Sequence, residues 1–502
     1  MPISRRNLLK AGGIGTGAVL VGGGIAKLLL RGDIPSFLQQ PAGRGEAWHL
    51  LNRLAFGASP GQVAAVSAMT PASFIEQQLH PESLDDHTMD AMLATYATLR
   101  MTPAQLYALK DGDQVAFDDL NSATILRAIY SRRQLYEVLV LFWSEHFSIW
   151  HGKDNCPYLK TFDDRDTIRP HALGHFRDLL GASVHSPAML DYLDNSGSDK
   201  DHPNENYARE LLELHTLSPS HYTERDVKEF ARCLTGWTYV QDESDPHLGE
   251  FFFDATIHDD DEKVVLGHTI HAGGGQQDVE TVLDLIVAQP ACAQFISKKL
   301  CRRFVADEPP SSVVDAAAAT FRQTHGDIRA VVRTILTAPE FLHAPPKFRR
   351  PFEYLIGLAR GFAVNLVQGK GGAQDIFAGL SFLDHAPFEH HQPDGYKDIG
   401  DHWRANLLTR WNIALTLTYG NVADSTIDPI ATAQAQGATT AEHILAYYAS
   451  QLLGRDITHQ ENDTLWSFMT KNGTPDLTTD DGKATLLDAI ALIAISPAAQ
   501  YR

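Results

Sequence analysis

Cysteine is scarce in this sequence. The 502 residues include 4 cysteines, and no Cys-x-x-Cys pair occurs. Cys292 and Cys301 lie in the stretch "ACAQFISKKLCRRF". If that stretch is one helix, the two thiols lie on opposite faces with about 13 Å of rise between them, which is beyond the reach of a disulfide. The sequence therefore predicts no disulfide between these two residues, and it lacks the disulfide framework of small secreted domains.

Basic residues are also fewer than acidic ones. The chain has 42 Lys and Arg residues against 62 Asp and Glu residues, a formal charge of -20 at pH 7. A surface of that sign repels phosphate backbones and anionic lipid headgroups. The composition therefore argues against nucleic acid as a partner.

Most familiar catalytic signatures are missing as well. The sequence contains no phosphate-binding loop, no His-Glu-x-x-His and no dinucleotide fingerprint. These motifs carry nucleotide binding, zinc proteolysis and nicotinamide chemistry respectively, and their absence argues against these three classes of function. Gly-x-Ser-x-Gly occurs once, at residues 57–61, but it follows a predicted helix and not the strand that the nucleophile turn of a serine hydrolase requires.

The N-terminus does carry a signal. Arg5 and Arg6 precede a weakly hydrophobic, glycine-rich run that ends at about Ala26, and this arrangement resembles a twin-arginine export signal. We expect residues 1–30 to engage the twin-arginine translocase, residues 31–46 to form a linker, and the protein to be periplasmic or secreted. A membrane anchor is the alternative, but Lys27 interrupts the run before it reaches the ~20 apolar residues of a span. No Ala-x-Ala cleavage site is clear, so an uncleaved signal could tether the protein to the membrane.

The remainder of the sequence is patterned for helices. Hydrophobic residues make up 44% of the chain, enough for a large core, and from Trp48 onward they follow mainly helical spacing between Gly and Pro breaks. One helix is predicted over about 118–147. Only residues 249–267 alternate like strands, which predicts a β-hairpin. We therefore expect a mainly α fold: one large multi-helix domain over 47–502 with a small β-hairpin insertion, or a 47–350 core followed by a 351–502 helical part.

The central helix "NENYARELLELHTL" places two polar residues on its apolar side. At 100° per residue, Glu210 and His215 fall within the arc of hydrophobic side chains, whereas Glu213 lies beside Arg209 on the solvated face. A carboxylate on an apolar face requires a buried Arg or a metal as partner, or has a raised pKa that suits a general acid. A structural ion pair and a functional role both remain open for Glu210.

Glu210 and Glu213 resemble the two carboxylates of a glycoside hydrolase, but their spacing argues against such a pair. Catalytic carboxylates face each other across the scissile bond, whereas residues i and i+3 of a helix point the same way. If Glu210 is an acid or base, its partner should come from another segment, and Asp194 and Asp259 are the best candidates.

Other polar residues have both a structural and a functional interpretation. His146 lies on an aromatic helix face, where a satisfied core histidine is as reasonable as a catalytic one. His258, Asp259 and Lys263 lie in "HDDDEK", which suits a solvated turn or the binding of a substrate hydroxyl or carboxylate. The remaining candidates have amide, imidazole or aromatic side chains that suit sugar faces and hydroxyls, and they are Asn195, Asn204, Asn206, His215 and Trp237. Asn204 and Asn206 are equally good cap and turn residues.

Four histidines are candidate metal ligands. They lie within 18 residues of one another in "DHAPFEHHQPDGYKDIGDHW" and are His385, His390, His391 and His402. Imidazole together with carboxylate binds zinc and other divalent cations, so a divalent metal is a candidate cofactor. Their spacing matches no standard zinc signature, which argues against such a site.

A set of motifs identifies a family resemblance. The motifs "HLLNRLAFGASP", "FWSEHFSI", "NENYARELLELHTL", "YTERDVKEFARCLTGW", "FISKKLCRRFV" and "PDGYKDIGDHWRANLLTRWN" occur in the order typical of the bacterial domain of unknown function 1800 family. The resemblance covers about residues 47–500 and implies a mainly α-helical exported protein. It also implies a neighbouring exported protein of the domain of unknown function 1501 family, which is similar to phosphatases and sulfatases. The family supplies no activity, so no catalytic residue is carried over.

Two functions are compatible with these observations. The first is a hydrolase or lyase acting on an extracellular or cell-surface glycan, with Glu210 as acid or base and with His146 and His258 assisting. The second is a non-catalytic binding or assembly partner of the neighbouring phosphatase-like or sulfatase-like protein. Convergence of Glu210, His146, Asn195 and His258 in one cleft would favour the enzyme, and their dispersal would favour the partner.

Overall fold

Helices joined by short turns make up most of the chain, as the periodicity predicts. The structure, a computed structural model, describes residues 43–366, 371–471 and 473–502. The predicted signal segment 1–30, and the predicted linker as far as residue 42, lie outside the described residues. The mainly α fold class with small β-hairpins is confirmed.

The helices fall into three consecutive groups. The first group is α1 (Glu46–Arg53), α2 (Gln62–Ser67), α3 (Pro71–Leu79), α4 (His87–Leu93), α5 (Pro103–Tyr107), α6 (Gly112–Tyr130), α7 (Gln134–His146), α8 (Cys156–Phe162) and α9 (Arg169–His171). The second is α10 (Phe176–Val184), α11 (Pro187–Tyr192), α12 (Glu205–Glu210), α13 (Glu224–Cys233), α14 (Gln277–Ala288), α15 (Pro290–Phe304), α16 (Ser311–Gln323), α17 (Ile328–Leu336) and α18 (Pro339–Leu342). The third is α19 (Pro351–Gly361), α20 (Gly371–Phe382), α21 (Leu407–Thr418), α22 (Pro429–Ala435), α23 (Ala441–Leu453), α24 (His459–Met469) and α25 (Asp480–Ile495).

Three antiparallel pairs of short strands accompany the helices in the described residues. They are β1 (Trp237–Tyr239) with β2 (Phe251–Phe253), β3 (Lys263–Val265) with β4 (His268–Ile270), and β5 (Asn365–Leu366) with β6 (Ser425–Thr426). The predicted hairpin within 249–267 is therefore wrong in its pairing. Each half of that stretch pairs outside it, because β2 returns to β1 while β3 turns directly into β4.

Helix α19 lies in the middle of the core. All of its residues are buried, and one connected set of buried apolar side chains surrounds it, from Ala47 to Ala499. Gly357 on α19 allows the chain at Gly57 to approach closely, since a Cβ on Gly57 would lie 3.0 Å from the Gly357 Cα. Gly57 also has a φ of 115°, which favours glycine. The predicted division into 47–350 and 351–502 stays a prediction.

The predicted long helix over 118–147 is broken into α6 and α7. The break is held by Asp86, which accepts hydrogen bonds from the Ser131 hydroxyl at 2.6 Å and from the Arg132 amide at 2.9 Å. A side chain distant in sequence thus satisfies the backbone at the break. The hydrophobic spacing continues across residues 131–133, so the sequence pattern does not reveal the break between α6 and α7.

Helix α15 carries Cys292 and Cys301, as predicted. Both thiols are buried and free, which confirms the absence of a disulfide between them. In the part of the chain that the structure describes, no single helix is long and apolar enough to span a membrane. Helices α14 and α15 taken together are long and apolar enough for a span by length and composition alone, but the two helices are bent by 69° relative to each other.

Candidate functional site

The central helix changes its hydrogen bonding halfway along. Residues Glu205–Glu210 are α-helical, but Leu211–Thr216 form a π-helical turn, after which the Leu217 amide donates to the Leu212 carbonyl at 2.8 Å. A π turn holds more residues than an α turn, so side chains after Glu210 leave the directions that 100° per residue assigns to them. Such turns frequently occur at functional sites.

Glu213 is displaced by this turn. It accepts a hydrogen bond from the Tyr222 hydroxyl at 2.7 Å and lines a cleft. Arg209 instead pairs with both oxygens of Glu224, at 2.7 and 2.8 Å, and lies 3.6 Å from Glu205. The prediction that Glu213 lies beside Arg209 on the solvated face is therefore wrong.

Glu210 is half-buried and has no hydrogen bond or ion pair in the described part of the chain. Burial, then the charges of Glu213 and Asp394, raise the pKa of Glu210, and Arg209 only partly opposes them. No buried arginine pairs with Glu210 in these residues. Of the two interpretations that the sequence left open, the structural ion pair therefore finds no partner.

The cleft lies beside the π turn and has a volume of about 300 Å³. The rest of its wall comes from helix α7, helix α15, residues 218–219 and the loop 394–399. Its lining is rich in ionisable side chains, which are Glu145, His146, Glu213, Lys299, Arg302, Asp394, Tyr396, Lys397 and Asp398.

His146 and Lys299 are in direct contact in this cleft. The Lys299 ammonium donates to His146 Nδ1 at 2.7 Å, and His146 Nε2 lies 3.0 Å from the carbonyl oxygen of His215, to which it donates. Burial, then the Lys299 charge, hold the pKa of His146 well below its usual range. Burial and the Lys299 charge also lower the pKa of His215 to about 3. Both imidazoles are therefore neutral at pH 7.

The basicity of Lys299 is itself reduced. Burial, then the nearby Arg302 charge, lower the pKa of Lys299 to about 8, against the opposing charges of Glu145 and Asp394. A lysine with such a pKa exchanges protons near neutral pH.

Asp394 links the central helix to the histidine-rich loop. It accepts from His390 Nε2 at 3.0 Å and from the Lys397 ammonium. Burial opposes its ionisation, but these two partners outweigh burial and lower the pKa of Asp394. Tyr192 lies close to both carboxylates. Burial, then the charges of Cys156, Asp394 and Glu210, raise the pKa of Tyr192. Glu210 and Asp394 thus have pKa values shifted in opposite directions at one location.

A buried cluster of charges supports the cleft from behind. Arg350 donates to Glu145 at 2.6 Å and to Glu353 at 3.0 Å, and Glu353 also pairs with Arg303 and with Arg502. Lys347 pairs with Asp398 at 2.8 Å and with Asp307 at 2.9 Å. These contacts fix two of the lining carboxylates, Glu145 and Asp398, from the core side.

Comparison with known proteins identifies the family. A family model described as "Protein of unknown function (DUF1800)" matches residues 49–501. The chain belongs to the DUF1800 family. The comparisons found no curated protein and no solved structure that matches it. The family resemblance inferred from the motifs is therefore confirmed. The comparisons supply no relative from which an activity could be inferred for this DUF1800 chain.

The predicted amide and aromatic ligands have structural contacts in this DUF1800 chain. Asn195 is fully buried and donates to the Leu234 and Trp237 carbonyls at 3.1 and 3.0 Å. Asn204 caps α12 by accepting from the Asn206 amide at 2.8 Å. Trp237 is buried against His185 and Phe251, Asn206 is exposed, and Asp194 pairs with Lys153 at 2.5 Å. None of these predicted ligands lines the cleft.

The predicted hairpin candidates form a separate ion cluster. Asp259 pairs with Arg232 at 2.6 Å. Lys263 and His258 both meet Asp278, at 2.8 and 3.4 Å. Their side chains join α13 and α14 to the β3–β4 hairpin, and none of them lines the cleft. Asp394, not Asp194 or Asp259, is the carboxylate that comes close to Glu210.

The four candidate metal histidines have separate surroundings. His385 accepts from the Phe352 amide at 3.0 Å and lies 3.4 Å from Glu145, while His390 bonds Asp394. His391 stacks on Trp150 with 4.1 Å between ring centroids, and His402 is exposed beside Trp403. In the described residues, no group of three or more His, Cys, Asp or Glu side chains is arranged to hold a metal ion.

Lys299 and Asp394 are not among the site residues predicted from the sequence. Both lie in motifs that carry the family resemblance, "FISKKLCRRFV" and "PDGYKDIGDHW". A lysine on a helix ordinarily extends to solvent, so Lys299 looked no different from Lys298. Asp394 was overlooked because its segment was considered only for its histidines.

Proposed function

We propose that this exported DUF1800 protein is an acid–base hydrolase of an extracellular or cell-surface glycan. Glu210 is its general acid, and Asp394 is its base or nucleophile. The observation that carries the proposal is the proximity of two different carboxylates. Asp394 lines the cleft and is held ionised by His390 and Lys397. Glu210 is not part of the lining, but it lies close enough for the charges of Glu213 and Asp394 to raise its pKa, and it has no partner in the described residues.

The chemistry of glycoside hydrolysis requires this asymmetry. One carboxyl group must hold a proton to protonate the leaving oxygen, and the other must be ionised to activate water or attack the anomeric carbon. Burial and like charges raise the pKa of Glu210, whereas Lys397 and His390 lower that of Asp394. A lyase needs a base and a neutralising group instead, so the opposed carboxylates favour a hydrolase.

Export is part of the same proposal. It is supported by Arg5 and Arg6 before a weakly hydrophobic run, and an exported enzyme acts on a substrate in the cell envelope or outside it. The Glu213 and Asp394 carboxylates of the cleft suit a glycan, because ionised carboxylates accept strong hydrogen bonds from hydroxyl groups.

The test is the release of reducing ends from purified neutral, amino and uronic-acid polysaccharides. Wild-type protein should cleave at least one of them, and Glu210→Gln and Asp394→Asn should each be slower by about 100-fold or more. Glu205→Gln, on the same helix but paired with Arg209, is the matched control and should retain activity. A lyase also releases reducing ends, so the products are examined for an unsaturated sugar at the new non-reducing end, which would favour a lyase. Cleavage unaffected by Glu210→Gln would contradict the assignment.

An assembly partner of the neighbouring DUF1501-type protein is the second candidate. It is favoured by the dispersal of Asn195 and His258 away from the cleft, and by three large apolar side chains that are well exposed, Phe252 at 48%, Phe382 at 54% and Leu408 at 66%. Co-purification of the two exported proteins, lost when Phe382 and Leu408 are both changed to Ser, would support this role. Retention of the complex in that variant would contradict this surface.

A further inference from the structure

Lys299 is half-buried and differs from the lysines that are fully buried in the described residues. Lys160, Lys263 and Lys347 each have a carboxylate partner within 4.0 Å. Lys299 has no carboxylate within that distance in the described part of the chain, although it lines a cleft with four acidic residues. Its ammonium is therefore a cation without a counter-ion, at the wall of an open cavity.

His146 holds this cation in place without neutralising it. Because Nε2 of His146 donates to the His215 carbonyl, Nδ1 carries the lone pair that accepts from Lys299. The imidazole is uncharged, so the positive charge of Lys299 remains. A lysine held in this way binds an anion more tightly than a mobile surface lysine. Its side chain is already ordered in the free protein, so binding loses less side-chain entropy.

The two other cations that line the cleft are already engaged. Arg302 donates to the Asp307 carbonyl at 2.8 Å and lies 3.3 Å from Glu308, and Lys397 pairs with Asp394. Among the described residues of the cleft wall, Lys299 alone is left to meet a charge on a ligand. A single available cation among carboxylates favours a group with one negative charge, since a dianion would be repelled by Glu213 and Asp394.

We propose that Lys299 binds a carboxylate of the ligand, so that the glycan recognised in this cleft contains uronic acid. The glycan part of this inference rests on the proposed function, and the carboxylate part rests on Lys299. The hydroxyls of such a sugar donate to the acidic residues of the cleft, while its carboxylate accepts from the Lys299 ammonium. Burial lowers the pKa of Lys299 to about 8, so binding should weaken as the pH rises through that value.

The test compares acidic oligosaccharides with their own carboxyl-reduced forms. Oligomers of galacturonate, mannuronate and glucuronate are titrated by calorimetry into the full chain carrying Glu210→Gln, which prevents turnover, and each reduced form supplies a neutral probe with the same linkages. At least one uronate oligomer should bind, and its reduced form should bind about tenfold or more weakly. No binding of any uronate oligomer, or equal binding of the two forms, would overturn the inference.

Variants at two adjacent lysines assign the effect to one side chain. Lys299→Met should abolish the preference for the carboxylate, and Lys299→Arg should retain most of it. Lys298→Met is the matched control, because Lys298 is exposed on the same helix. A preference that survives Lys299→Met, or that Lys298→Met removes, would place the carboxylate elsewhere.

A measurement on the unaltered residue avoids any folding defect of these variants. NMR of ¹³C-methylated lysines follows the pKa of Lys299, which should rise from about 8 when the uronate oligomer is added and stay constant with the reduced form. An unchanged pKa in the bound state would overturn the inference. Carboxylate-dependent binding without cleavage of any glycan would support the role of Lys299 and contradict the proposed hydrolase. Cleavage of neutral glycans alone would support the hydrolase and contradict the role of Lys299.

Discussion

Glu210 and Glu213 should respond differently to the same conservative substitution. Glu210→Gln removes a charge from a half-buried side chain that has no partner in the described residues, so the free energy of unfolding at pH 7 should be unchanged or higher. Glu213→Gln weakens the hydrogen bond from the Tyr222 hydroxyl and should lower that free energy. Helical periodicity alone predicts instead that Glu213→Gln has almost no effect, because it assigns Glu213 to the solvated face.

The expected magnitudes separate the alternatives. A hydrogen bond to a charged group contributes about 1.5 to 3 kcal/mol, and the amide of Gln retains part of it, so Glu213→Gln should cost about 1 kcal/mol. If Glu210 were the counter-ion of a buried arginine, its loss would cost about 3 to 5 kcal/mol. With about 2.1 cal/mol/K of unfolding entropy per residue, a chain of 502 residues shifts its Tm by only about 1 °C for each kcal/mol.

The pH dependence gives the sign of the Glu210 effect. Burial and the neighbouring carboxylates raise the pKa of Glu210 above its usual 4.5, so the unfolded chain ionises this group more readily than the folded chain. The wild type therefore loses stability as the pH rises from about 4.5 through the raised pKa. Any gain from Glu210→Gln should be present at pH 7 and should disappear below pH 4.5.

Urea unfolding at pH 7 and at pH 4, followed by tryptophan fluorescence, measures these differences more directly than Tm. Glu205→Gln is a suitable control on the same helix, since its contact with Arg209 is partly exposed and worth little. A loss of about 3 kcal/mol in Glu210→Gln at pH 7, or a gain that grows toward low pH, would refute the reasoning.

Two further predictions concern other parts of the chain. Glu353→Gln should lower the free energy of unfolding by about 3 to 5 kcal/mol, because Arg303, Arg350 and Arg502 lose a buried counter-charge. The control Glu442→Gln changes an exposed side chain and should have little effect in the same urea titration. Equal effects of the two substitutions would mean that the buried cluster contributes no specific stability. Changing Arg5 and Arg6 to Lys should leave the protein in the cytoplasm on cell fractionation, and undiminished periplasmic yield in that variant would contradict twin-arginine export.

The helical architecture was predictable because its determinants are local. Helix α13, for example, begins with a capping box between Thr223 and Asp226, a pattern that the sequence itself displays, and both of its hydrogen bonds form, at 3.2 and 2.8 Å. Helix α15 likewise carries Cys292 and Cys301 as expected. The strand pairing was not predictable, since β1 and β2 are joined by a connection whose length and register no local pattern fixes.

The direction of side chains in the central helix could not be predicted for a different reason. A helical wheel assumes an α-helix throughout, and the π turn at Leu211–Thr216 changes the residues per turn within an unbroken helical pattern. His215 remains buried despite this change, but Glu213 moves from the solvated face into the cleft. The amino-acid types are the same in both arrangements, so only the hydrogen bonding of the folded chain distinguishes them.

The cleft itself is built from segments far apart in the chain, which is why its two decisive residues were missed. Most buried cations elsewhere in the described residues bond carboxylates or backbone carbonyls, as Lys347 does with Asp398 and Arg360 does with the carbonyl of Gly57, although Arg349 bonds the amide oxygen of Asn52. Lys299 bonds a neutral imidazole, and Glu210 bonds nothing in the described residues. Leaving a half-buried charge without a partner destabilises a fold, and such sites persist where function requires them. Since Lys299 lines the cleft and Glu210 lies beside two of its carboxylates, we propose that the function lies there and not in the ion cluster at the β3–β4 hairpin.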